Sequence, residues 1–193
     1  VEYQAADSMI YDAASGLAYL YGKAQVNYQN MQLTAAKISM NMDSSMVHAE
    51  ARADSTVEGG LDGRPQYTQG TDQYDSERMS LNFKTKKGYI LNVNTKQGDG
   101  FMTSERSKRA ADGTLYLEKG RYTTCDAKHP HFYLALSRAK VRPGKDVVFG
   151  PAHLVVEDVP LPLAIPYGFF PFNKKYSSGF VMPSYGDETS RGF

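Results

Sequence analysis

The chain has 193 residues, with 22 lysines and arginines against 21 aspartates and glutamates, one cysteine, no tryptophan, 14 tyrosines and 9 phenylalanines. Its formal net charge of +1 gives no overall field that would attract a polyanion, which argues against a general nucleic-acid binder. A single cysteine excludes an internal disulfide scaffold and a Cys-rich zinc module. No stretch approaches the roughly 18 apolar residues of a membrane-spanning helix, and the first residues lack the pattern of a signal peptide.

Two-residue alternation recurs in short blocks between Gly, Asn, Asp and Ser clusters, and it predicts an all-β fold of short antiparallel strands. In the block 17–28 the even positions form an apolar face and the odd positions a more polar one. The next block carries its apolar residues at odd positions up to Ala35 and at even positions from Ala36, which predicts a bulge or sharp bend there. The inward positions of that block are Met31, Leu33, Ala35, Ile38, Met40 and Met42.

This strand–turn–strand unit of about twenty residues repeats downstream, over residues 74–95. The turn 84–88 of the second copy replaces the turn 43–45 of the first, and either Ile90 or Leu91 takes the place of Val47. Such repeats predict a stack of strands in which each buries its face only against its neighbours. In the second copy, Met79, Leu81 and Phe83 correspond to Ile38, Met40 and Met42.

Three other segments break this pattern. The glycine-rich stretch 58–70 predicts a loop, either a boundary or a flexible insertion. The stretch 103–113 is polar. The run PLPLAIPYGFFPF, from Pro160 to Phe172, contains four prolines, which exclude a helix interior or a central strand and predict an edge or a covered extended segment.

No catalytic constellation or cofactor motif emerges, so we expect neither an enzyme nor a bound cofactor. The fragment Gly98-Asp99-Gly100 has no following helix and is not a nucleotide loop. The cluster Cys125, Asp126, His129 and His131 offers metal-ligand types but reads better as a structural turn, and no metal is predicted. The basic segments 84–87 and 106–109 could meet phosphate groups, although short charge runs are usually solvated loops.

The inward faces of the predicted strands could bind a ligand as well as form a hydrophobic core. They mix small residues such as Ala24 and Ala35 with methionine and tyrosine, whereas a short two-layer β core normally uses bulkier side chains to reach packing density. Methionine is also a flexible filler that suits variable apolar ligands. We therefore expect a groove with room for an apolar guest.

Several motifs carry a family resemblance. Residues 11–40, YDAASGLAYLYGKAQVNYQNMQLTAAKISM, resemble the repeat of the organic-solvent-tolerance (OstA) family of lipopolysaccharide-assembly outer-membrane proteins. The ordered series RYTTCDAKHPHFYL, GPAHLVVEDVPLPLAIPYGFFPF and SGFVMPSYGDETSRGF, spanning 121–134, 150–172 and 178–193, resembles the segment that precedes the barrel in that family.

The resemblance implies an open twisted β-jellyroll, or β-taco, at the periplasmic face of the Gram-negative outer membrane. It divides the chain into jellyroll repeats (1–120), the last jellyroll strands (121–172) and a junction (173–193) leading into an outer-membrane barrel. Lipopolysaccharide, through its lipid A acyl chains, is the implied ligand. The implied lipid groove comprises Ala18, Leu20, Ala24, Val26, Tyr28, Leu33, Ile38, Met40, Met42, Val47, Met79, Leu81 and Phe83.

The same resemblance implies three protein partners: a periplasmic jellyroll bridge protein, a plug lipoprotein, and the chain's own C-terminal barrel. The bridge would pair with the edge formed by Met9, Ile10 and Tyr11. Pro171 and Pro183 would be gate prolines that weaken strand pairing where lipid leaves sideways. A disulfide to the barrel would need Cys125 and a cysteine outside this sequence.

Two other interpretations remain open from the sequence. One is a structural or carbohydrate-binding β-solenoid, which predicts a tightly filled interior. The other is a lyase-type enzyme on a parallel β-helix, which needs convergent carboxylates or a basic pair, and no such set can be assembled from these residues.

Overall fold

The computed structural model describes residues 2–171 except 58, 59, 71, 98, 99 and 128. These residues form strands and turns without any helix, so no helix among them could cross a membrane, and the predicted all-β fold is confirmed. The strands are β1 (Glu2–Gln4), β2 (Ser8–Asp12), β3 (Leu17–Tyr28), β4 (Met31–Asn41), β5 (Met46–Glu50), β6 (Arg52–Ala53), β7 (Leu61–Asp62), β8 (Gln66–Gln69), β9 (Asp72–Asp75), β10 (Arg78–Asn82), β11 (Gly88–Gln97), β12 (Gly100–Arg109), β13 (Leu115–Thr123), β14 (Phe132–Arg142), β15 (Asp146–Phe149), β16 (Ala152–Val156), β17 (Val159–Ile165) and β18 (Gly168–Pro171).

The long strands bend midway, and each contributes one half to each of two walls, which we call the first and second arms. In β4, for example, residues 37–41 pair with β5 and residues 31–34 pair with β8. The first arm has the order β2, β3, β4, β5, β10, β11, β12, β13, β14, β15 and β18. The second arm has the order β1, β3, β4, β8, β9, β11, β12, β13, β14, β16 and β17. All pairs are antiparallel, and the short hairpin β6–β7 lies apart from this sheet.

The bends lie next to one another across the sheet and form what we call the bend line. Gly22 and Lys23 of β3 lie between register positions that β4 spans with Ala36 alone, so the predicted bend at Ala36 is confirmed, with the extra residue on the neighbouring strand. Left-handed backbone angles mark this bend and two others, with φ of 43° at Lys23, 51° at Asn92 and 50° at Lys119. These non-glycine positions accept an unfavourable conformation because the bend lets one strand continue from the first arm into the second.

The predicted repeat is visible in two turns of the same geometry. The side chain of Asn41 accepts a hydrogen bond from the backbone N–H of Ser44 at 2.8 Å, and Asn82 accepts one from Thr85 at the same distance. A left-handed residue follows each turn, with φ of 56° at Ser45 and 59° at Lys86. An Asx turn of this kind reverses the chain without a glycine.

The core lies between the arms and consists of the inward side chains of both. Ile90 is buried there, whereas Leu91 is 39% exposed on the outer face, which answers the question that the sequence left open. The fully or nearly buried apolar residues include Leu20, Val26, Leu33, Ile38, Val47, Met79, Leu81, Val93, Met102, Leu115, Leu117, Val141 and Val147.

Three sequence predictions need correction. Met42 is 43% exposed, not inward, because β4 ends at Asn41 and Met42 belongs to the following turn. Within the predicted loop 58–70, residues 66–69 form β8, which places Tyr67 in the core. Within the predicted solvated segment 106–109, the residues continue β12, and Arg109 is buried.

Both ends of the sheet are open edges. Among the described residues, β1 and β2 at the first end each pair only with β3, and at the other end β17 pairs only with β16 and β18 only with β15. Every residue of β17 is exposed, so the proline-rich run forms an edge, as its prolines predict.

We expect Leu20→Ala to lower the free energy of unfolding by about 2–5 kcal/mol, because Leu20 is completely buried between the arms. Ile10→Ala is the matched control: Ile10 lies on the adjacent edge strand β2 and is 55% exposed, so its loss should change stability little. Urea unfolding followed by circular dichroism measures both. Equal effects of the two substitutions would contradict the assignment of the core.

Candidate ligand-binding interior and its seam

The structure brings the predicted groove residues together between the arms. Ala24 and Val26 of β3 are fully buried beside Leu33 of β4, and the other predicted positions are buried as well, with two exceptions. Tyr28 is half-buried, and Met42 lies outside the interior. Whether these side chains contact lipid stays a prediction.

The interior is packed and not an open trough. Ala24 and Ala35 face each other across β3 and β4, and both are at most 4% exposed, so small inward residues do not leave accessible space here. Leu20, Ile38 and Met79 belong to the same buried cluster and are equally inaccessible. An apolar guest could therefore enter only if the arms move apart.

The two arms meet again at the strand ends opposite the bend line, along what we call the seam. Near the first edge, the ring of Tyr28 from the second arm stacks on Phe83 from the first, with centroids 5.4 Å apart. Near the other edge, Phe170 of the first arm stacks on Tyr122 of the second at 5.5 Å and on Phe149 at 5.1 Å. These two aromatic bridges close the seam at positions far apart along it.

A polar bridge closes the seam between them. The guanidinium of Arg109, at the end of β12 in the first arm, donates hydrogen bonds of 2.6 Å to the backbone oxygen of Lys86 and to the side-chain oxygen of Gln69 in the second arm. It also lies 5.4 Å from the ring centre of Tyr67. The hydroxyl of Tyr67 donates to the same Gln69 oxygen at 2.8 Å. No sequence pattern points to this bridge, because Arg109 and Gln69 are forty positions apart in segments whose composition is typical of solvated loops.

An apolar pocket of about 220 Å³ opens beside the Tyr28–Phe83 bridge. Met40 lies on its inner side, and the exposed side chain of Met42 forms part of its wall. Four of the predicted groove residues thus line an opening between the core and the surface. The seam is therefore accessible from outside at this point.

The proposed docking edge is exposed. Met9, Ile10 and Tyr11 on β2 are 48%, 55% and 60% exposed, and β2 has a strand partner on one side alone. Pro171 is the last residue of β18 and pairs with Asp146 of β15, while Pro183 lies outside the described residues. Docking and gating at these positions stay predictions.

Of the candidate ligand cluster, the structure brings Cys125 and His131 together. The Cys125 sulfur lies 3.7 Å from Nδ1 of His131 in an exposed turn. Backbone N–H groups of Ala127 and His131, together with the His131 ring, hold the pKa of the Cys125 thiol below its ordinary value. The hydrogen bond to Cys125, followed by the charge of Glu157, raises the pKa of His131. No group of three His, Cys, Asp or Glu side chains in the described part of the chain could hold a metal ion.

Comparison with known proteins shows which proteins this chain resembles. A family profile described as LptD protein matches residues 147–193. The chain is 25% identical over 183 residues to the LPS-assembly protein LptD of Acinetobacter baumannii, covering 92% of this chain and 21% of that protein. It is 26% identical over 175 residues to LptD of Bordetella pertussis, covering 90% and 21%. Over most of its residues the chain is similar to LptD proteins.

The predicted family resemblance is thereby confirmed. Over a shorter stretch of 108 residues the chain is 31% identical to LptD of Pseudomonas fluorescens, covering 54% of this chain and 11% of that protein. The chain thus spans about a fifth of the length of the curated LptD relatives that it matches over most of its residues. Among solved structures it resembles LptH, the LptA-homologous periplasmic component of the lipopolysaccharide transport device of Pseudomonas aeruginosa, with a TM-score of 0.49, 13% identity, and coverage of 73% of this chain and 93% of that one.

We expect the reactivity of Cys125 toward iodoacetamide to rise at a lower pH than that of an ordinary cysteine, because the lowered pKa populates the thiolate earlier. His131→Gln should move the midpoint upward only part of the way, since the backbone N–H groups remain. Alkylation rates between about pH 6 and 10 measure this shift. A midpoint that is unchanged in the variant would show that the imidazole does not act on the thiol.

Proposed function

We propose that this chain is the lipopolysaccharide-binding, periplasmic part of an outer-membrane LPS-assembly protein, and that acyl chains lie between its two arms. The observation that carries this proposal is the interior itself. Two walls built from the same bent strands enclose a continuous apolar face, and a few separate side-chain bridges close the seam opposite the bend line. The names of its LptD relatives support lipopolysaccharide as the ligand.

The energetics favour such an enclosed path. An acyl chain of about a dozen carbons costs about 0.8 kcal/mol per methylene group when it enters water, so its full exposure would cost on the order of 10 kcal/mol. A guest that slides between the arms exchanges one apolar surface for another and avoids this cost. The transfer needs no covalent step, and the interior residues would act by burial alone.

The open edges support the proposed direction of transfer. A periplasmic bridge protein of similar fold would add a strand to the free side of β2, where Met9, Ile10 and Tyr11 are exposed, and so align the two interiors. At the other end, Val159 and Leu163 of β17 are 60% and 56% exposed. This apolar edge is suited to contact with the chain's own barrel, which would cover it. The barrel, with its plug lipoprotein, would receive the lipid there, with Pro171 and Pro183 limiting strand pairing at the exit.

A photocrosslinking amino acid at Val26, Met40 or Leu81 tests this function in a complete transport system. All three side chains are buried between the arms, and we expect each to crosslink to lipopolysaccharide when transport is energised. The matched outward controls are Tyr89 and Tyr116, which are 62% and 47% exposed on the outer face of the first arm. Crosslinks from the outward positions alone would contradict lipid transport through the interior and favour a structural or carbohydrate-binding β-solenoid.

A further inference from the structure

Arg109 is an unusual residue for an apolar interior. Its side chain is only 4% exposed and points inward from β12, in the same alternation that buries Ser107. Two carbonyl-type oxygens, from Lys86 and Gln69, accept its hydrogen bonds, and Tyr67 contributes its ring face. All these contacts are with uncharged groups.

The charge of Arg109 has no anionic partner among the described residues. None of their ion pairs involves it, and its Nε is buried without a hydrogen-bond acceptor. Removing a guanidinium from water costs several kcal/mol, and a nearby carboxylate normally offsets part of that cost. Here the carbonyl oxygens offset it only in part, because neutral acceptors bind a cation more weakly than an anion does. Stability alone would be served better by an apolar side chain at this position.

The position of Arg109 at the seam suggests a role for its positive charge in binding a ligand headgroup. It spans the seam, where the first arm meets the second, with the acyl-binding interior on one side and solvent on the other. An amphiphile whose tails lie between the arms must place its headgroup at the seam, because the headgroup cannot leave water. A planar guanidinium with an unused N–H matches the paired oxygens of a phosphate.

We propose that Arg109 is an anion-binding residue that exchanges Gln69 and the Lys86 carbonyl for a phosphate group on the headgroup of the bound amphiphile. This inference rests on the proposed function and deepens it. In the closed seam, the side-chain oxygen of Gln69 accepts a hydrogen bond from the guanidinium, and this bond joins the two arms. As a guest parts them, the Arg109–Gln69 hydrogen bond breaks and a charge-assisted one forms, which offsets the loss of the bridge.

The test compares binding of two forms of one lipid to the purified 193-residue chain. Fluorescently labelled lipid A with its phosphates, and the same lipid A after enzymatic removal of them, are each titrated to equilibrium. We expect the chain to prefer the phosphorylated form by about tenfold. Arg109→Gln should abolish that preference and leave affinity for the phosphate-free form unchanged or higher. Arg109→Lys should keep part of it.

Arg106→Gln is the matched control, because Arg106 is three positions away on β12 and exposed on the outer face. It should keep the preference, since its charge does not face the seam. Free inorganic phosphate at millimolar concentration should not compete, which separates a lipid headgroup from a simple phosphate site. Binding of free phosphate without any preference between the two lipids, or loss of the preference in Arg106→Gln, would overturn the proposal.

Gln69→Leu keeps the inference testable if Arg109→Gln does not fold. That variant frees the guanidinium without removing it, so the preference for phosphorylated lipid A should increase; an unchanged ratio would overturn the proposal. If both lipids bind and Arg109→Gln keeps the ratio, this inference alone fails. If neither lipid binds the unsubstituted chain, the proposed function fails with it.

Discussion

The bend in the middle of each long strand is the constraint on which the rest of the structure depends. Because one strand serves both arms, the arms cannot separate at the bend line, and any opening has to occur at the opposite side. The left-handed angles at Lys23, Asn92 and Lys119 show that the backbone accepts a local cost to keep this geometry. Backbone hydrogen bonds continue across the bends, for example from the N–H of Ala36 to the oxygen of Gly63 at 2.8 Å. The result is a pair of walls with a fixed line of attachment.

The seam is held in a different way. Its bridges are side-chain contacts, an aromatic pair near each end and a guanidinium with two neutral acceptors between them. An aromatic stack contributes about 0.5–1.5 kcal/mol beyond its burial, and a hydrogen bond of Arg109 to a neutral oxygen adds a contribution of similar size. These energies are small beside the cost of exposing an acyl chain to water, so a lipid guest has enough binding energy to replace them. The contrast between a continuous bend line and a weakly bridged seam supports opening in one direction only.

Local sequence patterns predicted the parts of the fold that depend on neighbours in the chain. Alternation identified the inward faces of β3 and β4, and the parity change at Ala36 located a bend. The repeat predicted matching turns, which Asn41 and Asn82 form. Met42 was placed wrongly because alternation cannot tell where a strand ends, whereas its counterpart Phe83 is buried and stacks on Tyr28 from the other arm.

The packed interior and the seam could not be predicted in that way. A run such as Arg106 to Arg109 has the composition of a solvated segment, and only the pairing of β12 with its neighbours turns Arg109 inward. The same holds for Tyr67 and Gln69, since glycines on both sides made β8 look like loop. Small residues such as Ala24 suggested open space, whereas Ala24 is completely buried in one cluster with larger side chains from both arms. Contacts between the arms are long-range, and no local period encodes them.

The width of the seam with and without lipid is the decisive measurement for binding between the arms. Spin labels at Asn30→Cys and Ser44→Cys, in a Cys125→Ser background, would sit on exposed rims of opposite arms on either side of the Tyr28–Phe83 bridge. Pulsed electron paramagnetic resonance then measures the distance between them. We expect saturating lipopolysaccharide to shift the distribution to longer distances, because acyl chains can enter only by parting the arms. An unchanged distribution at demonstrated lipid saturation would contradict binding between the arms.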